Sequence, residues 1–377
     1  MTRQLYNAVR GAAVALAVAI SAVVGSVAEG LGQALTPVAQ DRDIGAFVIV
    51  PPCGSDSDSS VAPDFGLFDD EVFVKLACDD SFGSAFAEQT SSIATTSILA
   101  RGATESEAMS IHSNVIHAIS NSTCDITFDL DAQRSFDLTG VISAAGQAPV
   151  VLGGASVRLL RGDGGIVFEQ GVEPGNDGEL VSEDVCAHGI LQAGRYRLQV
   201  SAATVIDSTV PPSGSGTSQF DITFVVGAPA AWDDFDVVHG THVAGDLSDL
   251  LDSDNEYLIA NSMFGFTANE PNIVTIDVAG NTLETAEELH CTIEAHINHP
   301  AGSGRMLLFD HDAGRFVSIG AFPMGPQDRC ITIPHVDSSR FVEDDGGMIV
   351  RLRASVLATF SATGFRWHGD RLGVLAD

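Results

Sequence analysis

From Asp64 onward hydrophobic residues recur at every second position, the period of a β-strand with one buried face. Cys124, Ile126, Phe128 and Leu130 alternate with Asp125, Thr127, Asp129 and Asp131. Phe220, Ile222, Phe224 and Val226 repeat the pattern around Asp221 and Thr223, as do Tyr196, Leu198 and Val200 around Arg195, Arg197 and Gln199. Gly162-Asp163-Gly164-Gly165 separates Ala155–Leu160 from Ile166–Phe168, and its glycines supply the positive φ of a tight hairpin. Strands are also expected over Ile273–Val278, Cys291–Ile297, Met306–Phe309, Arg315–Ile319 and Met348–Ala354. Only Ala103–Ile119 is irregular enough to admit a helix. The pattern predicts an all-β protein of two antiparallel, jelly-roll-like β-sandwich domains.

Breaks in the alternation set the expected boundaries. Arg3 and Arg10 precede the uncharged stretch Gly11–Ala28, with small residues Ser26 and Ala28 before Glu29. That order of charged, apolar and small residues is the signature of a secretory signal peptide over residues 1–28, with an uncleaved anchor as the alternative. Residues 29–63, including the acidic run Ser55–Ser60, read as a linker or N-terminal segment. The first domain is then expected over 64–226, a second linker over 227–236 around Gly227–Ala231, and the second domain over 237–377. No further long apolar run follows, so the mature chain is expected to carry no integral membrane segment and to be secreted, periplasmic or displayed at the cell surface.

Composition narrows the function. The chain has 377 residues, and 18 Lys plus Arg against 50 Asp plus Glu give a net charge of −32, which repels nucleic-acid phosphates. A hydrophobic fraction of 45% excludes a disordered chain. Cys53, Cys78, Cys124, Cys186, Cys291 and Cys330 form an even set with no Cys-x-x-Cys pair, which points to disulfides rather than zinc or dithiol redox chemistry. Pairing within each domain would join Cys53 to Cys78, Cys124 to Cys186 and Cys291 to Cys330.

Two resemblances bear on function. Gly245-Asp246-Leu247, Ser253–Leu258, Met306–Phe309 and Asp312-Ala313-Gly314, with Leu191–Tyr196 in the first domain, resemble the accessory β-sandwich modules of exported bacterial proteins, of the pre-peptidase C-terminal type. That resemblance implies a binding or spacing role outside the cell. His239-Gly240-Thr241-His242-Val243-Ala244-Gly245 matches the segment around the catalytic histidine of subtilisin-like serine proteases, which would make His239 a general base. The mechanism also needs an aspartate and a serine, in the order Asp, His, Ser. No Asp-Thr-Gly or Asp-Ser-Gly stands upstream, and the sole Gly-Thr-Ser, Gly216-Thr217-Ser218, precedes the histidine. The heptapeptide is therefore expected to be a glycine-rich loop entering a strand.

Other chemistry is sparser. Asp252, Asp254 and Glu256 offer alternating carboxylates that could hold calcium in a loop, with a solvated turn as the alternative reading and no other cofactor expected. Glu294 and His296 would share a strand face, with His299 just beyond and His290 beside them, the elements of a metal site. Asp125, Asp129 and Asp131 suggest paired carboxylates for glycosidic cleavage, though an exposed strand face explains them as well. Aromatic platforms are sparse, with 2 Trp and 3 Tyr, and most of the 20 Phe are expected to pack on apolar strand faces. The sequence thus points to an exported, non-enzymatic protein with a binding, adhesion or envelope and matrix role, its partner a glycan or cell-surface component. A secreted hydrolase, using His239 or a metal, is the alternative.

Overall fold

The computed structural model describes residues 34–377 except 79–80, 111–114, 148–150, 176–177, 209–213, 252–253, 266–269, 283–286, 358–363 and 377. The segment read as a signal peptide lies outside the described residues. Among them every regular element is a strand, apart from short 3-10 turns such as Leu247–Leu250 and Ser338–Arg340. The all-β reading holds. Ala103–Ile119 is no helix: its described ends belong to the strands Ser97–Met109 and Ile116–Leu130.

The first half of the chain forms two sheets face to face. One has the order β2-β1-β6-β11-β8-β9, built from β1 (Leu35–Val50), β2 (Gly54–Val61), β6 (Ile116–Leu130), β8 (Val151–Arg161), β9 (Ile166–Val172) and β11 (Gly194–Ser208). Opposite it lie β3 (Phe68–Cys78), β4 (Ser81–Ile93), β5 (Ser97–Met109), β7 (Arg134–Gln147), β10 (Val181–Leu191) and β12 (Gly214–Pro229), in the order β3-β4-β5-β12-β7-β10. Alternation dictates what meets between them. Phe128, Leu138, Leu159, Leu198 and Phe224 fill one core, and Ile44, Val48, Val74, Ile116 and Ile206 fill a second. Between the two cores the inward positions are small hydroxyls that satisfy one another, Thr104 with Thr204 at 2.9 Å and Ser106 with Ser120 at 3.0 Å.

The second half repeats the two-layer plan. One layer joins β13 (Ala231–His239), β16 (Pro271–Asn281), β18 (Gly302–Asp310), β19 (Arg315–Met324) and β21 (Gly347–Leu357). Facing it are β14 (Thr241–Ala244), β15 (Leu258–Asn261), β17 (Glu288–Ile297), β20 (Arg329–Asp337) and β22 (Arg366–Ala376). Ile276, Met306, Leu308, Val350, Ile293, Trp367 and Leu372 form the shared core.

Both stretches read as linkers are strand instead. Residues Leu35–Val61 form β1 and β2, because Ile44, Ala46, Val48 and Val50 alternate inward and carry the polar strand Gly54–Val61 as an edge. Asp and Ser fill that edge; nearly all of it is exposed on both faces, so its composition looks like a loop although its backbone pairs fully with β1. Around residues 227–236, Ala228 and Pro229 of β12 pair with Ala376 and Leu375 of β22, so one eleven-stranded sheet runs through both sandwiches. Residues Ala34–Asp377 accordingly form a single compact unit.

The second sandwich covers part of the first one's outer face. Arg371 of β22 donates to Asp137 of β7 at 2.6 Å, the Thr139 and Thr332 hydroxyls meet at 2.6 Å, and Cys186 of β10 is bonded to Cys330 of β20. The pairing expected within each half fails for four of the six cysteines. Cys53 is joined to Cys78, but the second bridge crosses the junction, and Cys124 and Cys291 are buried free thiols. Register is the reason: Cys124 and Cys291 point into the cores, whereas Cys186 and Cys330 lie on strands facing each other across the junction.

Candidate functional site

Beyond the junction the outer face of β3, β4 and β5 is open. Val72 and Val74 of β3 turn inward, so Glu71, Phe73 and Lys75 turn out. The same parity turns out Phe82, Phe86 and Glu88 of β4, and Glu105 and Glu107 of β5. Register then builds rows across the sheet. Phe73 stands opposite Phe86, and Phe86 opposite Glu105; Lys75 is opposite Ser84, and Ser84 opposite Glu107. Glu71 and Glu88 make the row on the other side.

The outcome is a phenyl platform with a carboxylate margin. Phe73 is 57% exposed, the Lys75 ammonium lies 5.5 Å over the Phe82 ring, and burial together with repulsion from Glu107 pushes the Glu105 carboxyl upward. Exposed rings offer a flat apolar surface, and carboxylates accept hydrogen bonds from hydroxyl or ammonium groups. At this face Phe73 stands outside the packing on apolar strand faces expected of most phenylalanines. Its signal stands in the sequence, since Phe73 shares its parity with Glu71 and Lys75 rather than with Val72 and Val74.

The residues singled out from the sequence are distributed elsewhere. Asp125 is paired with Arg197, Asp129 with Arg195 at 2.8 Å, and Asp131 with Arg134 at 3.3 Å. These carboxylates belong to arginine ladders and share no site. His239 ends β13, and among the described residues no hydrogen bond reaches its Nδ1. The His242 ring nitrogen Nε2 meets the carbonyls of Ala244 and Gly245 at 3.1 and 2.9 Å. Gly240 and Gly245 both have positive φ, and a Cβ on either would strike a backbone oxygen, that of Asn261 or of Tyr257. The heptapeptide thus comprises the end of β13, a turn at Gly240, strand β14 and Gly245, with glycine required sterically at both positions.

Glu294 and His296 do share the polar face of β17, and β22 adds partners that spacing alone does not reveal. His296 pairs with His368 across the strands, and their rings stack at 4.4 Å. His296 Nδ1 lies 2.6 Å from Asp328, whose second oxygen accepts from the Tyr257 hydroxyl at 2.7 Å. Burial and the nearby Glu294 push Asp370 up to about 6, against bonds from the Asn255 and Asp254 amides. Burial and His296 hold His368 below the usual imidazole range. His299 Nδ1 lies 2.7 Å from the Ala301 carbonyl, and His290 is buried.

Of the calcium candidates, Asp252 lies outside the described residues, and the Asp254 side chain accepts from the Glu256 amide at 3.0 Å. Among the described residues no three His, Cys, Asp or Glu side chains converge as a metal site. A polar groove of about 750 Å³ follows the junction, lined by Gln170, Glu183, Asp184, Asp328 and Arg329 among others. None of its described lining residues is aromatic.

No family of proteins matches the sequence, and no curated protein matches it. Among solved structures the chain is similar to the tandem CBM22 domains of Xyn10C from Paenibacillus barcinonensis, at 10% identity over 73% of this chain and 87% of that one, with a TM-score of 0.21. It is also similar to allantoicase from Saccharomyces cerevisiae, at 11% identity over 68% and 77% of the chains, with a TM-score of 0.22. A truncated AlyQ with CBM32 and alginate lyase domains overlaps at 9% identity over 68% and 92%, with a TM-score of 0.20. Overlap at this level assigns no function.

Proposed function

We propose that this is an exported, non-enzymatic binding protein whose outer sheet face over β3, β4 and β5 takes a hydroxyl-rich glycan of the cell surface or its surroundings. The observation that carries the reading is Phe73, a large ring held 57% exposed and directly opposite Phe86, with Glu105 next in the row. Burial of such a ring against the CH face of a sugar stabilises by dispersion and desolvation, while carboxylates beside it accept hydroxyl hydrogen bonds. Export is consistent with the N-terminal pattern of charge and hydrophobicity and with two disulfides.

The test is calorimetric titration of the full chain with a panel of neutral and charged oligosaccharides, repeated on Phe73→Ala. Losing one stacked ring of about 1 kcal/mol should weaken binding by roughly fivefold or more. Binding that is unchanged in Phe73→Ala, or absent across the panel, would remove this face as the glycan site.

A further inference from the structure

We propose that the outer face of the second sandwich carries an oxyanion site, in which Arg305 and Arg353 grip the sulfate or phosphate group of an acidic ligand. This site is independent of the β3–β5 face. Met306 and Leu308 of β18, and Leu352 and Ala354 of β21, turn into the core, so Arg305 and Arg353 turn out, and both are exposed. Register sets the two arginines directly opposite each other, and the row continues through Thr275 of β16 to His239 at the end of β13.

The neighbouring row shows how this sheet seats an arginine for structure. Arg351, two residues before Arg353, faces Asp277, donates to its two oxygens at 2.6 and 2.7 Å, and lies over the Phe316 ring 3.7 Å from its centroid. Asp236 faces Asp277 from β13, so acid is supplied to that row twice. In the next row Thr275 stands where the acid would, and a second arginine flanks the first. Among the described residues no ion pair reaches Arg305 or Arg353, in a chain with 50 Asp and Glu against 18 Lys and Arg. Like charges directly opposite on a sheet destabilise it, and an anion laid between them reverses the sign of that contact. The row also ends on an unmet polar atom: His239 Nδ1 is buried with no hydrogen-bond partner among the described residues, where nearly all buried polar atoms have one.

Two guanidinium forks supply at least four N–H donors, and their two positive charges match a phosphate monoester at about −1.5 to −2. A carboxylate, with two oxygens and one charge, occupies a single fork. The net charge of −32 opposes any anion at long range, but at physiological ionic strength that repulsion is screened beyond about 8 Å, and direct contact with the arginines remains.

The test follows amide and arginine side-chain chemical shifts of the full chain as sodium sulfate, sodium phosphate or sodium acetate replaces sodium chloride at constant ionic strength and pH 7.5. Sulfate and phosphate should perturb Arg305, Arg353, Thr275 and His239 and half-saturate at about 1 mM or below, with acetate at least about tenfold weaker. Arg305→Gln and Arg353→Gln, both exposed substitutions checked for folding by circular dichroism, should each weaken sulfate binding by at least about tenfold. Arg158→Gln with Arg195→Gln, which removes more positive charge from the first sandwich, should leave it within about twofold, and Phe73→Ala should leave it unchanged. Shifts that never saturate, or equal losses in the two sets of arginine variants, would show attraction to net charge alone and overturn the site. Acetate bound as tightly as sulfate and phosphate would overturn the assignment to a tetrahedral group.

Discussion

Removing one partner of the Asp137–Arg371 pair should loosen the join between the sandwiches. The two side chains meet at 2.6 Å with 1% and 8% of their surfaces exposed, so Asp137→Ala leaves a guanidinium buried without its counter-charge. Such orphaned charges cost about 3–5 kcal/mol, far more than the surface ladder pairs at about 0–1 kcal/mol. Yet the pair itself is imperfectly satisfied, since Asp137 Oδ2 and Arg371 Nε and Nη1 have no hydrogen-bond partner among the described residues. Replacing both, Asp137→Leu with Arg371→Met, should therefore return stability to within about 1 kcal/mol of the parent or raise it. Urea unfolding followed by tryptophan emission reads this directly, because Trp232 and Trp367 both lie in the second sandwich core and Trp232 Nε1 bonds the Leu372 carbonyl beside Arg371. Circular dichroism follows both sandwiches at once. A loss below about 1 kcal/mol in Asp137→Ala, or a double variant as damaged as the single one, would refute the reasoning.

Four further outcomes follow from the same geometry. Asp370 is pushed up from 3.8 to about 6, so its contribution is present in acid and lost as pH rises through 6; Asp370→Asn should gain about 2 kcal/mol at pH 7.5 but little at pH 4, and equal gains at both would sink it. Reducing Cys186–Cys330, which closes a separation of 144 residues, should lower the urea midpoint by the equivalent of about 2–5 kcal/mol; an unmoved midpoint would contradict this. The thiols of Cys124 and Cys291, buried and pushed up to about 12, should react with a disulfide reagent only as fast as the chain opens, and rapid labelling of native protein would show otherwise. Gly240→Ala and Gly245→Ala should each cost roughly 1–3 kcal/mol, and a serine-directed probe should leave the protein unlabelled; labelling would restore the hydrolase reading.

Strand identity was largely legible because alternation in segments such as Cys124–Leu130 is local, and one residue's neighbours reveal its face. Connectivity was not. Nothing near Cys186 announces that Cys330 lies opposite it, since that proximity depends on how two sandwiches dock. Strand β2 was missed because Gly54–Val61 is an edge exposed on nearly every side, where burial leaves no imprint on composition. His368 and Asp370 joined Glu294 and His296 only through the β17–β22 register. At the phenyl face the information was present in the parity of Glu71, Phe73 and Lys75, but hydrophobicity alone assigns a phenylalanine to a core.

Amide chemical-shift mapping of the full chain with a saturating oligosaccharide tests the binding face most directly. Perturbations concentrated on Phe73, Phe86, Glu105 and their ladder neighbours are the predicted result. Perturbations gathered instead at the junction groove around Asp184 and Arg329, with β3–β5 silent, would contradict it.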